Sequence, residues 1–266
     1  MNGSSSSEFF RIRLLLCLGH SSQMSLPSTH PNRKPTEKMN TANQLTELLG
    51  LRKSPVAVKF DKEAPSGVAR IDHPAVAGCS YWKLAAEGRT FYTVAEDHYG
   101  CPVGSHTHGV DLPEDKAREL ESLVSTMVKL QYLSMDEVPG IPHREEPFEV
   151  AIYAPLSEAN FVADVVLVSG NARQMMILAE AAHAAGIVSE GSVVGRPTCA
   201  AIPAVMQSGH TATNLGCIGN RVYTEMADDE LYFAFAGSRL DLVVDKLITI
   251  VHANRELEKY HLAHVS

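Results

Sequence analysis

No run of about 18 apolar residues occurs in this chain, so nothing in it reads as a membrane span. It also lacks basic excess: 23 Lys and Arg against 31 Asp and Glu leave a net charge of -8. Without a basic stripe and interleaved aromatics, it does not read as a general nucleic-acid binder, because phosphate affinity needs clustered cations. There is no GxGxxG fingerprint, no HExxH helix and no GxSxG elbow, and Gly191-Ser192-Val193-Val194-Gly195 has glycines but no phosphate-loop lysine. Dinucleotide-fold, zincin, serine-hydrolase and P-loop chemistry therefore find no support. Neither the CxxC pairs of a zinc ribbon nor the closely spaced cysteines of a bacterial ferredoxin are present.

A secretory signal is missing as well. Arg11 and Arg13 interrupt the Phe9 to Leu18 segment, and the apolar stretch Leu14 to Leu18 falls short of the about 7 to 15 residues of a signal core. Residues 1–38, rich in serine and proline, read as a disordered extension, with an upstream start artefact as one account of it. Met39 opens a globular segment over 39–266, long enough to bury a substantial core. The expectation is a cytoplasmic protein in which the cysteines are reduced thiols, metal ligands or redox groups rather than disulfides.

Within that segment strands and helices mingle without strict alternation, which predicts an α+β fold with a mixed sheet. Asn40 to Leu49, Ala172 to Ala185 and Pro113 to Leu133 read as helices. Pro55 to Phe60, Thr90 to Val94, Phe148 to Tyr153, Asp164 to Val168 and Leu231 to Phe235 read as strands. Ser238 with Asp241 resembles a capping box opening a long C-terminal helix. The proline-rich Pro139 to Pro147 segment separates two halves, about 51–138 and 148–251, which read as pseudo-repeats packed into one domain.

What is present, and patterned, is cysteine. Cys79 opens a helix-like run that Gly88 ends, and a strand-like run then leads to Gly100-Cys101-Pro102-Val103-Gly104. Cys199 opens a similar run to Gly209, followed by Gly216-Cys217-Ile218-Gly219. If the halves pack about a pseudo-two-fold axis, four thiols converge. Such a set suits an iron–sulfur cluster or tetrahedral zinc, both of which favour soft anionic sulfur. A helix N-terminus at Cys79 and Cys199 is expected to lower the thiol pKa, which serves ligation and nucleophilic reactivity alike. Simple packing of buried thiols is the third account.

Around Cys101 lie His98, His106 and His108. In an extended segment His106 and His108 point the same way, with His98 within reach, so a mixed Cys/His site for zinc, iron or haem is an alternative. Arg221, near Cys217, suits an anionic cluster, carboxylate or phosphate, or a surface pair with Asp228 or Glu230. Tyr81 and Trp82 read as core.

The segments around Cys101, Arg196 to Pro203 and Leu215 to Arg221 resemble those of the DUF169 family, bacterial and archaeal proteins of unknown function, over roughly Leu45 to Val251. The resemblance implies a prokaryotic-type cytoplasmic protein and brings no reaction or cofactor. The expected role is electron transfer or redox-linked chemistry with a redox partner or small-molecule ligand; the alternative is a non-catalytic ligand- or metal-binding protein with structural cysteines.

Overall fold

The computed structural model describes residues 35–191 and 197–265. The disorder expected before Pro35, the Ser192 to Gly195 part of the glycine-containing loop, and Arg196 lie outside the described residues. Helix α1 (Pro35–Leu49) takes in residues up to Lys38 that the sequence reading assigned to the extension, with proline at its first position where no N–H is needed. Next come β1 (Val56–Asp61), α2 (Gly78–Ala86), β2 (Phe91–Thr93), α3 (Pro102–Thr107) and α4 (Glu114–Lys129). The second half supplies β3 (Val150–Pro155), β4 (Val165–Asn171), α5 (Ala172–Ala184), β5 (Ser189–Gly191), α6 (Ala201–Ser208), β6 (Thr211–Asn214), α7 (Ile218–Thr224), β7 (Glu230–Ala236) and α8 (Leu240–Leu262).

The strands form one seven-stranded sheet in the order β2-β3-β1-β4-β7-β6-β5. Among the described strands β5 and β6 alone pair parallel and every other strand pair is antiparallel, which bears out the mixed α+β expectation. From the β1–β4 junction outward, β3 then β2 lie on one side and β7 then β6 on the other. Each outer pair flanks the same chain order of short helix, strand and short helix: α2-β2-α3 in one case, α6-β6-α7 in the other.

Strand β4 is covered on both faces, and its period-two alternation sorts the core. Val166 and Val168 face one apolar cluster with Phe233 and Phe235 of β7 and with Leu45, Leu178 and Leu247, carried by α1, α5 and α8. Val165 and Leu167 face the other, with Trp82, Tyr81, Tyr153, Ile202 and two of the cysteines, Cys79 and Cys199. Tyr81 and Trp82 are core, as expected. Each helical layer must bury its apolar stripe, and the sheet provides the common wall.

Two local expectations are corrected. The Ser238–Asp241 capping box does not form, because a 3₁₀ turn over Gly237–Arg239 occupies those residues and α8 starts after it without a side-chain cap. Asp241 instead accepts a hydrogen bond from Thr41 Oγ1 at 3.1 Å, tying α8 to α1. Helix α4 is real but buries none of its residues; Leu130, assigned to its apolar stripe, caps its end and is exposed.

Candidate functional site

All four paired cysteines stand at the start of a helical segment. Cys79 is the second residue of α2, and Cys199 sits in the 3₁₀ turn Thr198–Ala200 that leads into α6. Cys101 and Cys217, expected in glycine turns, are the N-caps of α3 and α7. In each the sulfur accepts from the backbone N–H three residues on, Gly104 or Asn220, at 3.4 Å. Helices as short as α3 and α7 have too few turns to show a 3.6-residue period in sequence.

The surroundings fix these sulfurs. A Cβ at Gly104 would stand 3.2 Å from Cys101 Sγ, so glycine leaves the room the sulfur needs. Gly216 takes φ +80, a conformation open to glycine, just ahead of Cys217. The Cys217 N–H donates to Thr198 Oγ1 at 2.6 Å, locking the α7 cap to the turn that carries Cys199.

Burial dominates the ionisation of these thiols. Burial pushes the Cys79 thiol up to about 12, and the Asn220 side chain from α7 partly offsets it. Burial likewise drives Cys199 far up, with Thr107 of α3 as the offsetting group. Cys199 feels Cys101, Cys217 and Cys79, so the four thiols lie within electrostatic reach of one another. Cys101 is raised by burial too, opposed by the backbone N–H groups of Gly104 and Gly78. The expected lowering at Cys79 and Cys199 is thus reversed: removal of the thiolate from water outweighs a helix terminus. Neutral, buried thiols are poor nucleophiles at neutral pH.

His106 parts from the other two histidines. Residues 95–98 form a 3₁₀ turn and 102–107 a helix, so the segment is not extended. Asp97 anchors the turn, accepting from Arg70 at 2.9 and 3.0 Å and from Val94 N–H at 2.9 Å. His106 stacks on His143, ring centroids 5.4 Å apart. His98 and His108 go inward and meet edge to face at 5.9 Å among Tyr81, Phe60 and Phe148. They face the start of α2: a Cβ at Gly78 would lie 3.8 Å from His98 Nδ1 and 3.9 Å from His108 Cε1.

Thr93 Oγ1 lies 2.8 Å from His98 Nε2 and 3.3 Å from Ala151 O, so one ring nitrogen of His98 is satisfied. His98 Nδ1 and both nitrogens of His108 have no hydrogen-bond partner among the described residues. Burial holds His98 down at about 4. For His108, at about 3, burial comes first, then the charges of His98 and Arg144; the Cys199 backbone pulls the other way without a hydrogen bond of normal geometry.

Arg221 is committed elsewhere. Its guanidinium donates to the carbonyls of Leu215, Ala227 and Glu230 at 2.6, 3.0 and 3.3 Å, bracing the α7 loop against β7, and it stands 4.0 Å from Asp228. Among the described residues no group of three or more His, Cys, Asp or Glu is arranged to hold a metal ion. No described helix is long and apolar enough to cross a membrane.

Over 220 residues the chain is 28% identical to the uncharacterized protein MJ0308 of Methanocaldococcus jannaschii, covering 79% of this chain and 94% of that one. No solved structure matches. Residues 44–246, which span the sheet and all four cysteines, match the family described as Uncharacterised ArCR, COG2043, and the chain belongs to that family, DUF169.

Proposed function

We propose that Cys79, Cys101, Cys199 and Cys217 ligate an iron–sulfur cluster, and that the protein serves electron transfer or redox-linked chemistry on a small molecule. The supporting observation is the choice of residue at two N-caps. Serine, aspartate and asparagine satisfy an N3 N–H better than sulfur does, yet Cys101 and Cys217 hold both corresponding caps. Cysteine there sacrifices capping for a sulfur at a position fixed by the helix start.

A cluster supplies a one-electron couple whose potential depends on burial and on N–H groups near its sulfurs. The chain provides both. Cys79 and Cys199 are buried while Cys101 and Cys217 are partly open, and the Gly104, Gly78 and Asn220 N–H groups lie against the ligand sulfurs. Loading must release the protons that burial holds on Cys79, Cys101 and Cys199, so iron uptake is expected to strengthen as pH rises. Tetrahedral zinc, with about 2.3 Å bonds to thiolate sulfur, is the alternative occupant of the same four cysteines. His98 and His108 form a buried, neutral wall behind α2.

Serine substitution separates ligation from folding. Cys101→Ser and Cys217→Ser keep or improve the cap, so both variants are expected to retain the wild-type melting temperature within a few degrees while losing iron and visible absorbance. Full iron content in both variants, or stoichiometric colourless zinc in the wild type, would overturn the assignment.

A further inference from the structure

A cavity of about 110 Å³ opens on the face of the sheet that carries the cysteines, between the start of β1 and helices α2 and α7. Its walls are apolar side chains, Val56, Leu167, Trp82 and Tyr232, all nearly inaccessible to solvent in the folded chain. Trp82 and Tyr232 meet edge to face at 5.5 Å. The buried Trp82 indole N–H has no acceptor among the described residues, and an indole nitrogen is a donor only. Ser54 and Ser169 add hydroxyls.

Two lysines border this space. Lys53 is held 2.8 Å from Glu230, whose side chain is only 4% exposed, so that pair is fixed. Lys83 pairs with Glu225 at 2.6 Å and stands 4.0 Å from Glu87, and here the lysine is 27% exposed while the nearer carboxylate, Glu225, is 78% exposed. The carboxylate is therefore the replaceable half: it can return to water at little cost, whereas the ammonium stays at the cavity wall. Glu225 also holds φ +52 and ψ +37, left-handed backbone that disfavours a side-chain-bearing residue, in the turn closing α7.

We propose that this cavity binds a short aliphatic carboxylate, the ligand's anion replacing Glu225 on Lys83 and its chain lying against Trp82 and Leu167. A carboxylate only accepts hydrogen bonds, matching the Lys83 ammonium and the hydroxyls of Ser54 and Ser169. Size sets the length: a cavity of about 150 Å³ admits benzene, so this one suits roughly four to six heavy atoms. No cysteine lines the cavity.

The test is calorimetric titration of the full-length protein with butyrate, and with butan-1-ol and butylammonium as chain-length controls. Fluorescence of Trp82, the single tryptophan, reports the location. Saturable binding of butyrate alone is expected, tightened severalfold by Glu225→Gln and weakened about tenfold or more by Lys83→Met, since the charge-assisted bond is lost. Equal binding of the alcohol or the amine, absence of any butyrate heat, or unchanged affinity in Lys83→Met overturns the proposal. Butyrate binding to an iron-free wild type would leave the cavity standing and remove the cluster.

Discussion

Acidification from pH 7 to pH 5 is expected to cost the fold about 4 kcal/mol through His98 and His108 alone, at about 1.4 kcal/mol per pH unit for each proton taken up on unfolding. Both imidazoles are held neutral in the folded chain, with burial the first cause and folded values of about 4 and 3 against an ordinary 6.5. Because the folded values lie below the unfolded one, the unfolded chain binds more protons below pH 6.5. The stability is therefore complete above pH 6.5 and falls as pH drops toward 4. The charged and titratable groups around the pair reinforce this: each histidine faces the other, Arg144 acts on His108, and Tyr81 packs on His98. Urea midpoints across pH 5 to 7.5 measure the slope. His108→Leu removes two unpartnered nitrogens and is expected to halve it; an unchanged slope in that variant would contradict the burial account.

Much of this architecture is legible in the residues. Strands β1, β4 and β7 and helix α5 combine strong periodicity with glycine or polar stops, such as Gly186, and they lie where the sequence places them. What escapes is set by tertiary context. Nothing in His98-Tyr99-Gly100-Cys101 says that a 3₁₀ turn and a six-residue helix will send His98 and His108 inward while His106 stacks on His143. The thiol ionisation was misread for the same reason: a helix terminus is visible in sequence, but desolvation is not, and desolvation is larger. Arg221 reads as an anion-binding charge beside Cys217 or a surface partner of Asp228 or Glu230, and three backbone carbonyls, Glu230's among them, claim it.

Glycine 237 is expected to be the most sensitive small residue in the fold. It sits where β7 turns into the 3₁₀ entry to α8, and its N–H donates to Asp164 O at 3.0 Å. A Cβ there would lie 2.1 Å from Ala163 O and 2.7 Å from Ala163 C, backbone atoms that cannot swing aside as a side-chain end can. Strand β4 or the α8 entry must shift, so Gly237→Ala is expected to cost about 3 kcal/mol or more, lowering the melting temperature by about 6 to 12 °C. Gly140→Ala is the control, since a Cβ there meets nothing within 4 Å; it is expected to stay within about 0.5 kcal/mol of wild type. Equal melting temperatures for the two variants would contradict the close packing at the β7–α8 junction.

The cysteine assignment is tested most directly by counting iron and acid-labile sulfide per chain, with a visible spectrum, on protein purified without oxygen. About four of each, with broad absorbance across the visible range, is the predicted result. Colourless protein with four titratable thiols at Cys79, Cys101, Cys199 and Cys217 and no bound iron would contradict it.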